Sequence, residues 1–235
     1  MLVPASAGRA PSDWQPRARE WGGADLDQQS AHETITGLSG AEDHFAVGLD
    51  VTDVAVVQKA VAATVDRFGG LDVLINVAGG DTAHPEFEDT DDETWLGMIN
   101  LNLLGVVRCC RAAIPHLRRS TEGPAIVTIG SINALMALGS EPYSSAKAGL
   151  GALTLNLAAQ LGPSGIRVNL IAPGTIRTPV WDGQPGGADR YAGSYPLQRV
   201  GEPGCGCRGR ISCFFRCSAD NRPNSGRRRR PALDL

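Results

Sequence analysis

Short apolar runs alternate with segments of helical length between residues 44 and 173 of this chain. The runs have the length and the β-branched content of strands that are buried on both faces. They cover residues 44–49, 71–78, 125–129 and 167–172. Because such alternation is typical of βαβ units, it predicts an α/β fold with a mostly parallel sheet. Ligands of open α/β sheets bind at the carboxyl ends of the strands, and functional residues are expected there.

Three helices are predicted between these strands. The first follows a cap at Thr52 or Asp53, repeats its apolar residues on one face, and ends at Gly69 and Gly70. The second covers residues 92–117 and the third covers residues 143–161.

The composition indicates a folded, non-membrane protein. The chain has 235 residues, of which 42% are hydrophobic, and this suits one domain with a substantial core. Its apolar runs are shorter than the roughly 18 residues of a membrane span. The first residues also lack the charged start and apolar core of a signal peptide. We therefore expect a cytoplasmic protein without a membrane partner.

The net charge of −3 conceals two unlike segments. Residues 1–200 carry 14 Lys and Arg against 22 Asp and Glu, a net −8, whereas residues 201–235 carry 8 Arg against 3 acidic residues, a net +5. The second segment also holds four of the six cysteines, Cys205, Cys207, Cys213 and Cys217. A composition break of this size marks a domain boundary, a disordered arm or an abnormal end.

Tyr143 and Lys147 form the most informative pair in the sequence. They lie four residues apart on a predicted helix and therefore on one face of it. A tyrosine with an ordinary pKa near 10 transfers protons poorly at neutral pH, and an ammonium one turn away favours its phenolate. Such a pair is suited to acid-base chemistry, although an ordinary pair on a helix surface has the same spacing.

Five motifs in order resemble those of the short-chain dehydrogenase/reductase family, over about residues 24–203. The motifs are Asn76-Val-Ala-Gly79, Leu101-Asn-Leu-Leu-Gly105, Ile129-Gly-Ser131, Tyr143-Ser-Ser-Ala-Lys147 and Pro173-Gly-Thr-Ile-Arg-Thr178. The resemblance implies an α/β fold with a Rossmann-type doubly wound parallel sheet in a single domain. It also implies an NAD(P)-dependent oxidoreductase that interconverts a secondary alcohol and a ketone by hydride transfer.

The resemblance assigns catalytic roles to four residues. Tyr143 would be the general acid/base, Lys147 would lower its pKa and bind the nicotinamide ribose, and Ser131 would donate a hydrogen bond to the substrate oxygen. Asn102 would hold a water in a proton relay to Lys147. Asn100 competes for this role, but the Leu-Leu-Gly that follows favours Asn102. Ser131 and Tyr143 are 12 residues apart, one fewer than in many relatives.

The resemblance also implies a dinucleotide site. Asp50 and Val51 would hold the adenine ring, and Asp25 would bind the ribose 2′-hydroxyl, which favours NAD over NADP. An Asp25 that only caps the next helix is an equally weighted alternative. The remaining cofactor-binding residues would be Asn76, Ala78, Gly79, Tyr143, Lys147, Pro173, Gly174, Ile176 and Thr178.

Two elements of the family have no recognisable counterpart in this sequence. Residues 1–23 are an atypical segment without the strand and the Thr-Gly-x-x-x-Gly-x-Gly turn that cradles the pyrophosphate. After Pro203 the chain departs from the family's final helix, strand and Val-Asp-Gly-Gly signature. We therefore expect a fold that is incomplete at both ends, lacks a central strand, and forms a homodimer more readily than a tetramer.

Residues 204–235 form a basic tail that we interpret as disordered or frameshifted. Back-translation of residues 204–231, read one nucleotide later, permits a helix start and a Val-Asp-Gly-Gly ending. Sequencing the encoding DNA decides this point. The tail's cysteine spacing does not match a zinc site, so we predict no metal. Its arginines lack an aromatic platform, so we predict no nucleic-acid partner. The alternative function is an impaired family member or a non-enzymatic binding protein with a basic tail.

Overall fold

The computed structural model describes residues 2–5, 20–36, 44–82, 85–178, 181–202 and 213–216. Within these residues, seven strands form one sheet in the order β3-β2-β1-β4-β5-β6-β7. The strands are β1 Leu2–Ala5, β2 Glu20–Asp25, β3 Phe45–Gly48, β4 Val73–Asn76, β5 Ala125–Ile129, β6 Arg167–Pro173 and β7 Cys213–Arg216. The four strands predicted between residues 44 and 173 are all present.

Five α-helices surround the sheet within the same residues. They are α1 Gln28–Thr36, α2 Val54–Phe68, α3 Asp92–Ile99, α4 Gly105–Leu117 and α5 Glu141–Leu161. The long helix predicted over residues 92–117 consists of α3 and α4, joined by a π-helical turn at Asn100–Leu104. Asp53 caps α2, because its carboxylate accepts hydrogen bonds from the amide N–H groups of Ala55 and Val56. Asp53 rather than Thr52 is therefore the cap, and the helix ends at Gly69 as expected.

Helices cover both faces of the sheet. Gly22 and Gly23 are neighbours on β2, so their side-chain positions point to opposite faces. A Cβ on Gly23 would lie 2.6 Å from Ile35 of α1, and a Cβ on Gly22 would lie 3.0 Å from Thr64 of α2. These close approaches place α1 and α2 on opposite faces, which is the doubly wound α/β arrangement that the sequence predicts.

Two strands, β1 and β7, run antiparallel to their neighbours in the sheet. β2 and β3 are a parallel pair and β4, β5 and β6 are parallel neighbours, but β1 is antiparallel to both β2 and β4. The expectation of a missing central strand is therefore wrong, because Leu2–Ala5 fills that position in reverse. Parallel strands need a crossover of a dozen or more residues, usually a helix. Residues 6–19 contain Pro11 and Pro16 and show no helical periodicity.

The basic tail contributes one strand to the sheet. Cys213–Arg216 forms β7, which pairs antiparallel with β6 so that Cys213 lies opposite Pro173. This part of the tail is therefore an edge strand of the sheet. The remaining tail residues, including Cys205, Cys207, Cys217 and Arg227, lie outside the described residues.

One apolar core joins the sheet to α2, α4 and α5. Its buried members include Leu74, Ile126 and Val168 from the strands. The helices contribute Val57, Val61, Val106, Cys109, Cys110, Ala113, Leu117, Leu150, Ala158 and Leu161. The stretch Asp92–Leu117 is long and apolar enough to cross a membrane by length and composition alone. Its apolar residues from Val106 onward pack into this core, and this packing accounts for the apolar composition of the stretch.

Gly105→Ala is expected to lower the free energy of unfolding by about 1–3 kcal/mol, the usual cost of overpacking a close contact. A Cβ at Gly105 would lie 2.8 Å from Cγ2 of Val51. Gly97→Ala is the matched control, because Gly97 is a helical glycine whose Cβ position has no atom within 4 Å beyond its chain neighbours and its own helix backbone. Urea denaturation measures both variants. Equal stabilities of the two variants would contradict the predicted clash.

Candidate active site

Three loops meet at the carboxyl edge of the parallel strands. β4 ends at Asn76, β5 ends at Ile129 and β6 ends at Pro173, and the aligned register of these strands brings their ends together. The loops therefore carry Ala78 and Gly79, Ser131, and Gly174 to Thr178 along one edge. The start of α5, with Tyr143, packs against the short 3₁₀ turn that follows Ser131. The sequence motifs are thus gathered at a single site.

Lys147 is buried within this site. Its side chain lies on the same face of α5 as Tyr143, with Nζ 5.6 Å from the centre of the phenol ring. Nζ donates a hydrogen bond of 3.1 Å to the carbonyl oxygen of Ile129. Burial lowers the pKa of Lys147 to about 8, because desolvation disfavours the ammonium form.

Tyr143 is a half-buried phenol whose pKa is raised above its ordinary value. Burial is the main cause, the negative charge of Asp81 adds to it, and a hydrogen bond with the Ser131 side chain acts in the opposite direction. The pKa of Tyr143 is therefore raised, contrary to the lowering expected from Lys147. At neutral pH Tyr143 carries its proton and is suited to donate it.

Ser131 is held rigidly where β5 ends. Its side chain is 8% exposed. The hydroxyl donates to Oδ1 of Asn133 at 3.1 Å and accepts the backbone N–H of Asn133 at 3.2 Å. The 3₁₀ turn that follows Ser131 packs against α5, so Ser131 lies near Tyr143 at the start of that helix. The spacing of 12 residues thus still brings Ser131 to Tyr143.

Asn102 anchors the loop that follows β4. Its side chain is fully buried in the π-helical turn. Nδ2 donates to the carbonyl oxygen of Gly80 at 2.9 Å, and Oδ1 accepts the N–H of Gly80 at 3.0 Å. A Cβ on Gly79 would lie 2.7 Å from Oδ1 of Asn102 and 3.0 Å from Nζ of Lys147. Because Gly79 has no side chain, the side chains of Asn102 and Lys147 can both approach the loop at this residue.

Asp50 and Val51 lie together after β3. The Asp50 carboxylate accepts the N–H of Thr52 at 2.8 Å and its hydroxyl at 2.6 Å, and these bonds lower the pKa of Asp50. Arg108 of α4, which sequence reasoning missed, donates to the carbonyl oxygen of Val51 at 3.2 Å. The same side chain donates to Oδ1 of Asn100 at 2.6 Å. Asn100 thus supports the Asp50-Val51 loop through Arg108.

Asn76 leaves one buried polar atom without a partner. Its Nδ2 donates to the Thr128 hydroxyl at 3.3 Å, whereas its Oδ1 has no hydrogen bond in the structure. A small pocket adjoins Asn76 and is lined by Leu49, Val51, Val77, Ala78, Gly105, Val106 and Cys109. The pocket connects the ends of β3 and β4, where the sequence places the adenosine part of a dinucleotide.

Asp25 ends β2 with an exposed side chain, as its proposed contact with a ribose requires. Asp27, rather than Asp25, caps α1, since its carboxylate accepts the N–H groups of Gln29 and Ser30. This observation is against the helix-cap alternative for Asp25.

The loop from Pro173 to Thr178 is tied to the segment that follows it. The N–H of Thr175 donates to the hydroxyl of Tyr195 at 2.7 Å, and Nε1 of Trp181 donates to the carbonyl oxygen of Ile176 at 2.9 Å. Arg177 pairs with Asp189 at 2.7 Å and with Glu202 at 3.0 Å. No motif in the sequence indicated these contacts. They hold residues 181–202 against the loop that carries Gly174, Ile176 and Thr178.

Lys147→Met is expected to stabilise the fold at neutral pH by about 1–2 kcal/mol, the relief of a buried charge less one lost hydrogen bond. Lys147 has a pKa of about 8 in the fold and 10.5 ordinarily, so the folded chain binds this proton more weakly. The resulting destabilisation is absent above pH 10.5 and grows as the pH falls toward 8.

Urea denaturation at neutral pH and near pH 10.5 tests the Lys147 prediction, because the gain should shrink at the higher pH. Lys59→Met is the matched control, since Lys59 is exposed on α2 and is the other lysine of the chain. A Lys147→Met variant less stable than the parent at neutral pH would contradict the prediction.

The doubly wound sheet gathers Tyr143, Lys147 and Ser131 at its carboxyl edge, which is where a Rossmann-type fold binds its ligands. A family model described as enoyl-(acyl carrier protein) reductase matches residues 22–205. The chain belongs to the short-chain dehydrogenase/reductase family.

Known proteins resemble much of the chain. An uncharacterized oxidoreductase of Schizosaccharomyces pombe is 42% identical over 163 residues, which are 68% of this chain and 63% of the relative. The (2S)-[(R)-hydroxy(phenyl)methyl]succinyl-CoA dehydrogenase subunit BbsD of Thauera aromatica is 37% identical over 182 residues, 76% of this chain and 72% of the relative. The crystal structure of gox2181 superposes with a TM-score of 0.70 at 32% identity, covering 77% of this chain and 72% of that one. The chain thus spans between about three fifths and three quarters of these proteins.

Proposed function

We propose that this chain interconverts a secondary alcohol and a ketone with a nicotinamide dinucleotide, and that Tyr143 is the general acid/base. The observation that carries the proposal is the placement of Tyr143 and Ser131 at one strand edge, with the buried amine of Lys147 beside the Tyr143 ring. Two adjacent O–H groups at one strand edge form a place where a single substrate oxygen accepts two hydrogen bonds.

Each residue of this group has a defined task in the proposed reduction. The Tyr143 hydroxyl donates its proton to the ketone oxygen as negative charge develops there. The Ser131 hydroxyl, which donates to Oδ1 of Asn133 in the structure, would turn its one proton to the same substrate oxygen. In the oxidation of an alcohol the same proton returns to Tyr143. When a nicotinamide ring is bound, it supplies or accepts the hydride.

The two ends of a dinucleotide fit the residues at this edge. At the nicotinamide end, Lys147 and Tyr143 would bind the ribose. Gly79 keeps this end open for the cofactor, because the space beside it is so narrow that even a Cβ would clash with Asn102. The loop with Pro173, Gly174, Ile176 and Thr178 would border the ring. At the other end, Asn76, whose buried Oδ1 has no hydrogen bond, lines the pocket beside Val51. A donor on the bound adenosine would satisfy it.

The choice of dinucleotide follows from the acidic residues at the adenosine end. Asp50 has a lowered pKa and is ionised at neutral pH. Asp25 lies exposed at the end of β2 and would bind a ribose 2′-hydroxyl but repel a 2′-phosphate. We therefore favour NAD, with NADP as the alternative.

The pyrophosphate part does not fit in the same way. In dinucleotide folds a glycine-rich turn after the first strand presents backbone N–H groups to the phosphates. Here β1 is antiparallel to β2, with Leu2 opposite Gly23 and Ala5 opposite Glu20. The chain therefore leaves β1 at the amino edge of the sheet, away from the proposed site.

The proposed setting is a cytoplasmic homodimer that acts on a small alcohol or ketone. Support for self-association comes from three exposed leucines, Leu96 of α3, Leu104 of the π-helical turn and Leu155 of α5. Cys109 and Cys110 are buried free thiols, which suits a reducing compartment.

The test of the activity is turnover by the purified chain with NAD(H) or NADP(H) and a panel of secondary alcohols and ketones. Absorbance of the reduced nicotinamide reports the reaction. Turnover that depends on Tyr143 supports the proposal. Lack of turnover across the panel with both cofactors would favour the alternative, a family member without catalytic activity.

A further inference from the structure

Arg177 connects the loop after β6 to two later parts of the chain. Its guanidinium donates from Nη1 to Oδ2 of Asp189 at 2.8 Å and from Nη2 to Oδ1 at 2.7 Å, which is a bidentate pair. Its Nε donates to Oε1 of Glu202 at 3.0 Å. Asp189 lies in the 3₁₀ helix Gly187–Ser194, and Glu202 ends the described segment 181–202. We call these three charged side chains the Arg177 clasp.

The backbone closes the same segment beside the clasp. The N–H of Arg177 donates to the carbonyl oxygen of Gly201 at 2.8 Å. The N–H of Gly201 in turn donates to the carbonyl oxygen of Thr175 at 2.9 Å. The segment thus returns to the loop that precedes it, and Asp189 ties its middle to the same point.

The 3₁₀ helix that carries Asp189 also determines a contact with the loop Pro173–Thr178, which we call the cofactor loop. Tyr195 directly follows this helix, and its hydroxyl accepts the N–H of Thr175 at 2.7 Å. Thr175 is the neighbour of Ile176, which is proposed to border the nicotinamide. A displacement of the helix would therefore break the contact of Tyr195 with the cofactor loop.

The clasp has the geometry in which a surface ion pair contributes to structure. Its side chains are about half exposed, at 47% for Arg177, 58% for Asp189 and 61% for Glu202, and isolated pairs at such sites contribute little. Bidentate geometry and a shared network are the conditions under which such pairs do contribute. The planar guanidinium meets both conditions, because it binds both oxygens of one carboxylate while Nε binds a second.

We propose that Arg177 is a positioning residue whose clasp holds residues 181–202 against the cofactor loop and so sets that loop for the dinucleotide. This role rests on the proposed function, because it takes the cofactor loop to border the nicotinamide ring. Without the clasp the segment is released in a larger fraction of the molecules. Because only molecules with the segment in place bind the cofactor at full affinity, the apparent dissociation constant rises as that fraction falls. The chemical step in the ordered complex is unchanged, so KM for the cofactor rises and kcat does not.

Three variants test the clasp. Arg177→Gln removes the guanidinium, Asp189→Ala removes the carboxylate that it binds in bidentate fashion, and a double variant carries both changes. Arg118→Gln is the matched control, because Arg118 is exposed at the end of α4. Chymotrypsin digestion under native conditions, with mass spectrometry of the products, measures cleavage after Trp181 and Tyr195 and requires no turnover. Fluorescence titration measures NADH binding, and steady-state kinetics give kcat and KM.

We expect cleavage within residues 181–202 to be about 2–5-fold faster in Arg177→Gln than in the parent, the range for losing a well-formed surface pair. The double variant should match Arg177→Gln, because the Asp189 carboxylate then has no guanidinium to lose. The NADH dissociation constant should rise by at least about twofold and by no more than the cleavage rate, at parental kcat. High salt should bring the parent closer to the variants, because the pairs are half exposed. Arg118→Gln should behave as the parent does.

Three results would overturn the inference. Parental cleavage of Arg177→Gln would show that the clasp does not hold the segment. Faster cleavage at parental NADH affinity would show that the segment does not position the cofactor loop. Weaker NADH binding in Arg177→Gln but not in Asp189→Ala would indicate a direct contact of Arg177 with the cofactor. Faster cleavage and weaker NADH binding in both variants of a chain that turns over no substrate sustain the inference and refute the proposed activity.

Discussion

Tyr143→Phe is expected to reduce kcat/KM for any alcohol or ketone that the chain turns over by about 10²–10⁴-fold, the range for losing a positioned proton donor. The substitution removes one hydroxyl and leaves the ring that packs over Lys147. Because burial raises the pKa of Tyr143, its proton is present at neutral pH and available to the developing alkoxide. Steady-state kinetics at saturating cofactor measure the loss.

A control variant shows whether the loss of activity in Tyr143→Phe reflects a catalytic role of the hydroxyl or a structural one. Tyr191→Phe is the matched control, because Tyr191 meets Trp181 edge to face with ring centroids 5.6 Å apart and lies outside the proposed group. We expect Tyr191→Phe to change kcat/KM by less than about twofold, as befits a residue that touches no reacting atom. A Tyr143→Phe variant with parental activity would rule out Tyr143 as the acid/base.

The features that the sequence predicted depend on short-range patterns. Tyr143 and Lys147 share a face because α5 is a helix, and the residues after β4, β5 and β6 meet because those strands are parallel. The contacts that escaped prediction join distant parts of the chain. Asp81 meets Ser140 across 59 residues, and Arg108 meets Val51 across 57. No periodicity encodes such contacts.

Strand direction and helix type also escaped prediction, for physical reasons. An apolar run of four residues such as Leu2–Ala5 has the same side-chain pattern in either direction, so its sequence does not fix whether β1 is parallel. The π-helical turn at Asn100–Leu104 continues the helical pattern of the α-helices beside it, so the pattern does not distinguish a π-helix from an α-helix there. Such a bulge is frequent at functional sites.

The reversed β1 leads to the second large effect, weak binding of the dinucleotide. A phosphate held at a helix N-terminus gains charge-assisted hydrogen bonds of about 1.5–3 kcal/mol each. The loss of two such bonds weakens binding by about 10²–10⁴-fold relative to a family member with the glycine-rich turn. The contacts available at Asp25, Asp50 and Lys147 remain at the two ends of the cofactor. We therefore expect a dissociation constant for NADH above about 100 μM.

Titration of the protein fluorescence with NADH measures this affinity, since the chain has four tryptophans. The matched comparison is a chimera in which residues 1–19 are replaced by a strand, a glycine-rich turn and a helix. A parallel first strand would direct that turn to the carboxyl edge between β2 and β4, beside Asn76, and should tighten binding by at least about 100-fold. If the parent chain already binds NADH with a micromolar dissociation constant, the pyrophosphate must be held by groups other than a glycine-rich turn, and the reversed β1 does not limit cofactor binding.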